Sequence, residues 1–573
     1  MLEVLIFWIM LYLITYGAGD LLFWFFEKLT GMRHKARQGS VKSITGFFVL
    51  TVAAEYISLF CPVNTRALFG SASVICLLEI YKIKKYGLSK KTGKVSIAEA
   101  AVKFLWLAFI LVSVVNPAFN ELHGDSDLYM VQSVKWARQY GVVRGVANFN
   151  TRIGFDSSLV CFYALASLKA MSGGTLHAAC GFLYVIFGFY GIEAAFEMLK
   201  KGFCVSRAFR VVITGYASST VYLAGAFLSD AASNFAAGFI LAEWMRQAED
   251  NEEREEAYGL LCVLAVICAS MKLSLALIAL AALLPGIRLL KKKKYKSVAA
   301  LLAAGSICIV PYVIRTVLLT GYLLFPMEKI DLFDVAWKVP EESVCLEREM
   351  VELWAKAPGT ETDVIRGGIG SWLPIWLENN RGSYGYMLLL ANVAALAVLA
   401  LLWLFKGKRR EQGTATAYVT ALICALCANM LYWFFEAPDY RFIELLMYFI
   451  PVYLAERIYR LVPKHFPLPE TLLYAAFIAV FFSYHPKQTI REDLAFLNDS
   501  VRSGELAAIA LNQPPLKAYK LKTVDWYGMS INVPKGVPFS GDAPLPCCRN
   551  AKDLDTLYPL GEGIGAGIGV KKE

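Results

Sequence analysis

Two aspartates, Asp125 and Asp127, follow a long apolar run and a glycine in the stretch NELHGDSDLYMVQSVKWARQYGVVRGVANFNTRIGFDSS, from Asn120 to Ser158. A carboxylate held at the edge of an apolar cleft can take the proton from a hydroxyl whose partner substrate is embedded in lipid. The same residues also have a plainer use. Asp125 or Ser126 would cap a helix read over 127–140, and Asp127 would be favourable in its first turn. On that helix Met130, Val131, Val134 and Ala137 share one side while Gln132, Lys135, Arg138 and Gln139 lie elsewhere, the pattern of a helix resting on a membrane surface.

Further polar residues stand at the ends of apolar runs. Ser229 and Asp230 open one run, Lys272 sits in the short turn ASMKLS, Arg315 ends another, and Glu436, Asp439 and Arg441 fall in FFEAPDYRF. Ionisable groups at the edge of a membrane are read first as functional. Each has a structural alternative: Lys272 and Arg315 could snorkel to the interface, and Glu436, Asp439 and Arg441 could pair within a turn. His123, beside the aspartates, reads as an exposed loop residue or a substrate contact. The five histidines are scattered, so no zinc set is expected. No spacing suggests a Ser-His-Asp or Cys-His arrangement, and the Gly-rich GEGIGAGIG of 561–569 lacks the Lys-Ser/Thr of a phosphate loop and reads as a flexible end.

The elements that must position these residues follow from composition. Of 573 residues, 57% are hydrophobic and only 18% charged, and the mean hydropathy is +0.49. An ordinary soluble domain carries about 25% charged residues, so a soluble globular protein is excluded. Apolar runs cover about 2–26, 44–62, 65–84, 98–118, 177–199, 208–224, 230–245, 257–270, 273–287, 297–319, 385–406, 414–434, 441–459 and 470–484. The expected fold is therefore an all-α polytopic membrane protein of about fourteen transmembrane helices plus interfacial helices, with an extracytoplasmic loop and a C-terminal cap. The first run is apolar throughout and reads as a retained span rather than a cleaved leader.

The net charge of +10 is spread over short loops between spans, which is an orientation signal and gives nucleic acid no role. If the short apolar segment 157–171 does not cross, the basic runs Lys82–Lys94, Arg288–Lys296 and Lys406–Arg410 share the cytoplasmic face. Both chain ends, the loop 119–157, the loop 320–384 and the tail then lie outside. The expected units are 1–97, N-terminal spans; 98–319, a module carrying the acidic outer loop; 320–384, an extracytoplasmic loop; 385–484, C-terminal spans; and 485–573, an extracytoplasmic tail domain. Several of the thirteen cysteines lie inside spans, and only Cys547 and Cys548 lie in a polar segment.

A span, an outer loop with an Asp-x-Asp pair and surface helices, six spans with short loops and a second large outer loop resemble the GT-C superfamily of integral-membrane glycosyltransferases over about 98–384. The stretch from Asp125 to Ser158 is also similar to that of a group of large bacterial membrane proteins near that superfamily, although Met130 follows Tyr129 where that group has His. The resemblance implies a transferase at the bacterial inner membrane, with its active site on the extracytoplasmic side. It would take a sugar from a polyprenyl-phosphate donor to a glycan, lipid or protein acceptor, most simply with inversion. It implies Asp125 as the base, with Asp127 beside it, and Lys272 and Arg315 as holders of the donor phosphate. His123, Asp230, Glu436, Asp439 and Arg441 would be further substrate contacts. It leaves a divalent cation, Mg or Mn, open as a cofactor and requires none. The alternatives are a glycan polymerase or ligase, for which the second loop offers Arg348, Arg366 and Arg381 but no His, and a flippase-type transporter of polysaccharide or lipid-linked oligosaccharide.

Overall fold

The computed structural model describes residues 1–30, 38–87, 97–119, 124–169, 174–405, 414–461 and 486–571. His123 and the expected span at 470–484 lie outside the described residues. The first helices are α1 (Leu2–Thr30), α2 (Gly39–Phe60), α3 (Thr65–Tyr86) and α4 (Ile97–Phe119). α1 and α2 pack through glycines: a Cβ on Gly19 would run into the Lys42 carbonyl, and one on Gly46 into that of Thr15. Small residues that let two backbones touch are the usual means of joining helices where lipid supplies no hydrophobic drive.

A π-helical turn, Ser126–Met130, runs directly into α5 (Val131–Tyr140), and α6 (Ser158–Leu165) follows. Eight residues at 1.5 Å each span about 12 Å. α6 is too short to cross a bilayer, and it is wholly buried. The bundle continues with α7 (Ala179–Lys201), α8 (Val205–Ser219), α9 (Asp230–Glu249) and α10 (Glu255–Met271). A 3-10 helix, Leu273–Ala282, leads into α11 (Leu283–Lys291), and α12 (Tyr295–Thr320) returns. α9 lies among α8, α10 and later helices, and nearly every residue from Ala231 to Ala248 is buried. Its Ala, Ser, Asn and Gly content is low in hydropathy because protein, not lipid, surrounds it.

The loop after α12 folds into α13 (Glu341–Lys356), α14 (Asp363–Arg366) and α15 (Ile369–Asn380), with Arg348 and Arg366 paired to its own Glu328 and Glu349. Then come α16 (Tyr384–Phe405) and α17 (Thr414–Glu436). The expected span at 441–459 is interrupted: a 3-10 turn, Tyr440–Phe442, precedes α18 (Glu444–Met447) and α19 (Phe449–Leu461).

Among the described residues, seven helices are long and apolar enough to cross a bilayer: α1, α2, α7, the 3-10 helix with α11, α12, α16 and α17. The chain is thus mostly helical and of membrane type, and about half of the expected fourteen spans are long apolar helices among the described residues. α8 and α10, at 15 and 17 residues, are shorter, and α3 carries Glu79, Lys82, Lys84 and Lys85 in its second half.

The tail is not helical throughout. Two antiparallel pairs form, β1 (Leu521–Trp526) with β2 (Met529–Pro534) and β3 (Leu557–Pro559) with β4 (Ile568–Val570). The Gly-rich run expected to be a flexible end instead supplies β4, and its Ile564 and Ile568 join a core with Trp136, Val143, Phe149, Leu319 and Trp526. Backbone bonds hold this cap to the acidic loop: Ser540 and Gly541 N–H donate to the Asp127 carbonyl, Arg549 N–H to Phe149 and Ile568 N–H to Arg144. α5 is therefore enclosed. Its Val131 and Val134, with Met130 just before it, pack in the bundle core, while Gln132 and Lys135 donate to the carbonyls of Gly541, Asp542 and Ala543.

Candidate functional site

α17 ends where Ala437 precedes Pro438, since the residue before a proline is pushed out of helical conformation. The chain then turns, and Asp439 caps the turn by accepting the Arg441 N–H at 3.0 Å. The Trp433 indole donates to the Asp439 carbonyl at 2.7 Å and that of Trp376 to Pro438 at 3.2 Å, which fixes the turn from two sides. Asn234, one turn into α9, completes the positioning. Its Nδ2 donates to the Arg441 carbonyl at 3.0 Å, and its Oδ1 accepts the Leu445 N–H at 3.2 Å.

This turn brings side chains from four elements to one end of the bundle. Asp230, in the first turn of α9, forms an ion pair with Lys272, which follows α10; both side chains are 16% exposed. The Lys272 ammonium also lies 3.8 Å above the Phe442 ring. Arg441 holds Asp439 at 2.8 Å and reaches Asp125 at 3.6 Å. Asp230 lies within electrostatic reach of the same guanidinium. Tyr129 lies beside Asp125 and Asp230, and burial is the main reason its phenol is pushed far up, with those two charges adding to the effect. The group therefore offers two cations interleaved with three carboxylates, with Arg441 half-exposed at 48%.

The structure thus brings together Asp125, Asp230, Lys272, Asp439 and Arg441. Asp127 and Arg315 make their own bonds with other partners. Asp127 turns into the cap interface, where its Oδ2 accepts from the Tyr519 hydroxyl at 2.7 Å and its Oδ1 is buried without a hydrogen bond among the described residues. Burial raises the Asp127 carboxyl above its ordinary value, against the lowering effects of Tyr519 and Lys517. Arg315 is buried in a two-pronged pair with Asp156, both bonds 3.1 Å, and donates a third bond to Ser58 at 2.7 Å. None of these bonds reaches the Asp230–Lys272 pair itself, but the segment that holds Arg315 adjoins it, since the Ser157 hydroxyl, next to Asp156, donates to the Met271 carbonyl at 2.7 Å, one residue before Lys272. Glu436 is exposed at the end of α17.

Among the described residues, no group of three or more His, Cys, Asp or Glu side chains is arranged to hold a metal ion. The clustered carboxylates already face Lys272 and Arg441, so the site as built does not present a divalent cation with a free set of oxygens.

Reasoning from sequence did not single out Asn234, Tyr129 or Glu444. Glu444 had a legible signal, being an acid inside an otherwise apolar run. It opens α18 half-buried and, among the described residues, makes no hydrogen bond or ion pair. Burial first, and the nearby Asp439 second, push its carboxyl up to about 7.

A family model described as a domain of unknown function (DUF8201) matches residues 1–448, a span that takes in the whole polar group and stops before the cap. No curated protein and no solved structure matches the chain.

Proposed function

We propose that this chain, which belongs to the DUF8201 family, is a membrane glycosyltransferase of GT-C type. In this reading it moves a sugar from a lipid-phosphate donor to a glycan, lipid or protein acceptor at the outer leaflet of a bacterial inner membrane. The observation that carries the reading is the meeting of Asp125, Asp230, Lys272, Asp439 and Arg441 at one end of an apolar bundle. Inverting transfer from a phosphate leaving group needs a base for the acceptor hydroxyl and positive charge where the phosphate departs. Carboxylates and the two cations, Lys272 and Arg441, supply both. A phosphate entering beside Lys272 and Arg441 would exchange their carboxylate partners for its own oxygens.

The position of the basic loops supports an extracytoplasmic site. Lys292 and Lys294 pair with Glu255 and Glu256 at one end of α10, and Lys272 stands at the other. Seventeen helical residues separate these ends by about 25 Å. The test compares surface glycans by mass spectrometry in cells with the gene, without it, and with Asp125→Asn, Lys272→Ala or Arg441→Ala. The reading expects loss of one glycan product at normal membrane abundance of each variant; unchanged product from all three would remove it.

Transport of a lipid-linked glycan is favoured by one different observation. Glu55 on α2 is fully buried beside the Asp156–Arg315 pair, and neither carboxylate oxygen has a hydrogen-bond partner among the described residues. Buried acids of that kind serve proton coupling in transporters. Glu55→Gln would abolish pH-dependent flux in a transporter and leave the chemistry of a transferase in place.

A further inference from the structure

We infer that Glu444, and not Asp125, accepts the proton of the hydroxyl that attacks the donor sugar. The inference rests on the transferase reading above and names the acid–base group within it. The Asp125 carboxylate is already engaged by the Arg441 guanidinium at 3.6 Å. Among the described residues, Glu444 has no such partner. It stands three residues beyond Arg441, and Asn234 fixes both ends of that short segment through the Arg441 carbonyl and the Leu445 N–H. Its carboxylate is half-buried and makes no hydrogen bond or ion pair among the described residues, so its oxygens are available to a substrate.

The groups that face Glu444 come from every side. Asp439 of the preceding turn is the charge that acts on it most. Tyr216 of α8, Tyr222 of the 3-10 turn Val221–Leu223, and Tyr448 between α18 and α19 each lie within its electrostatic reach. Tyr448 meets Tyr384 of α16. Tyr222 lies near both Glu444 and Arg441, and 57% of it is exposed. A sugar ring stacked on that phenol would lie near both a carboxylate and a guanidinium. A carboxyl pushed to about 7 is substantially ionised at neutral pH while remaining a far better proton acceptor than an ordinary carboxylate.

The step balances without any further reagent. The acceptor O–H gives its proton to the Glu444 carboxylate as its oxygen bonds to the anomeric carbon. The bond from that carbon to the phosphate oxygen breaks, and its electron pair leaves on the phosphate. The Glu444 carboxylic acid then returns the proton to water.

The experiment measures transfer of labelled sugar from a polyprenyl-phosphate monosaccharide to membrane acceptors, using full-length protein in vesicles between pH 5.5 and 8.5. Wild type is expected to gain rate through a pH near 7 and then level off. Glu444→Gln should lose about 10²-fold or more and lose that rise. Glu444→Asp should retain part of the rate and move the rise, which a merely structural role would not do. If Glu444→Gln keeps the wild-type rate and rise while Asp125→Asn abolishes transfer, the inference is overturned and the transferase reading stands. If wild type transfers no sugar from any such donor, the reading itself falls and takes the inference with it.

Discussion

Arg315 and Lys272 were expected to act as a pair, since both are basic and both stand at the end of an apolar run. Their surroundings divide them. Arg315 and Asp156 are 3% and 2% exposed, whereas Lys272 and Asp230 remain partly open. Removing one member of a buried pair leaves an uncompensated charge, which costs about 3–5 kcal/mol. Arg315→Ala or Asp156→Ala should therefore lower the thermal midpoint of the purified protein sharply, while Lys272→Ala should lower activity with a much smaller change in that midpoint. Glu444 makes a separate prediction about pH. Its carboxyl has an ordinary value of 4.5 in the unfolded chain and about 7 in the fold, so the native state holds the proton more tightly. That contribution is fully present below pH 4.5 and is lost as pH rises towards 7. Glu444→Gln should reduce the fall in thermal midpoint across this window, as measured by parallel melts of variant and wild type.

At the scale of elements, the packing of α1 on α2 depends on backbone contact at Gly19 and Gly46. Gly46→Val has no room, because a side chain there meets the Thr15 carbonyl, and the facing helix cannot yield without separating. Loss of monodisperse protein in size-exclusion chromatography is the expected result, with Gly70→Val, where a side chain meets open space, as the tolerated control. The same scale explains the broken segment after α17. Its apolar run is continuous enough to suggest a span, but Pro438, the Asp439 cap and the bonds from Asn234 divide it. The interruption is what brings Arg441 and Glu444 to the end of the bundle.

For the whole molecule, the cap and the acidic loop share one core and several backbone bonds, so the tail is part of the structure around the site. Tyr519 donates to Asp127 across 392 positions of sequence. Tyr519→Phe removes one hydrogen bond at that seam, and its cost is about 1 kcal/mol. Faster protease cleavage after Lys517 or Lys520, with the transmembrane part intact, is the outcome that would show it. Orientation is also a property of the whole chain. Cysteines introduced at Lys292 and Tyr222 should react with an impermeant reagent from opposite sides of sealed vesicles. Labelling from one side alone would remove the extracytoplasmic site.

Much of this was written in local pattern. The long apolar runs determined most helix positions. The preference of Asp for helix starts and turns placed Asp125, Asp230 and Asp439 at element ends. Run lengths near 20 residues determined the membrane class. What tertiary structure alone decided was which charge meets which. It joined Arg441 to Asp125 and Lys272 to Asp230, paired Arg315 with Asp156 and Asp127 with Tyr519, and left the Glu444 carboxylate without a hydrogen bond or ion pair among the described residues. A periodic pattern reports which side of a helix is apolar, because each residue's exposure repeats along its own element. The partner of a charge depends on distances between elements hundreds of residues apart, and those are set only when the helices pack and exclude the alternatives.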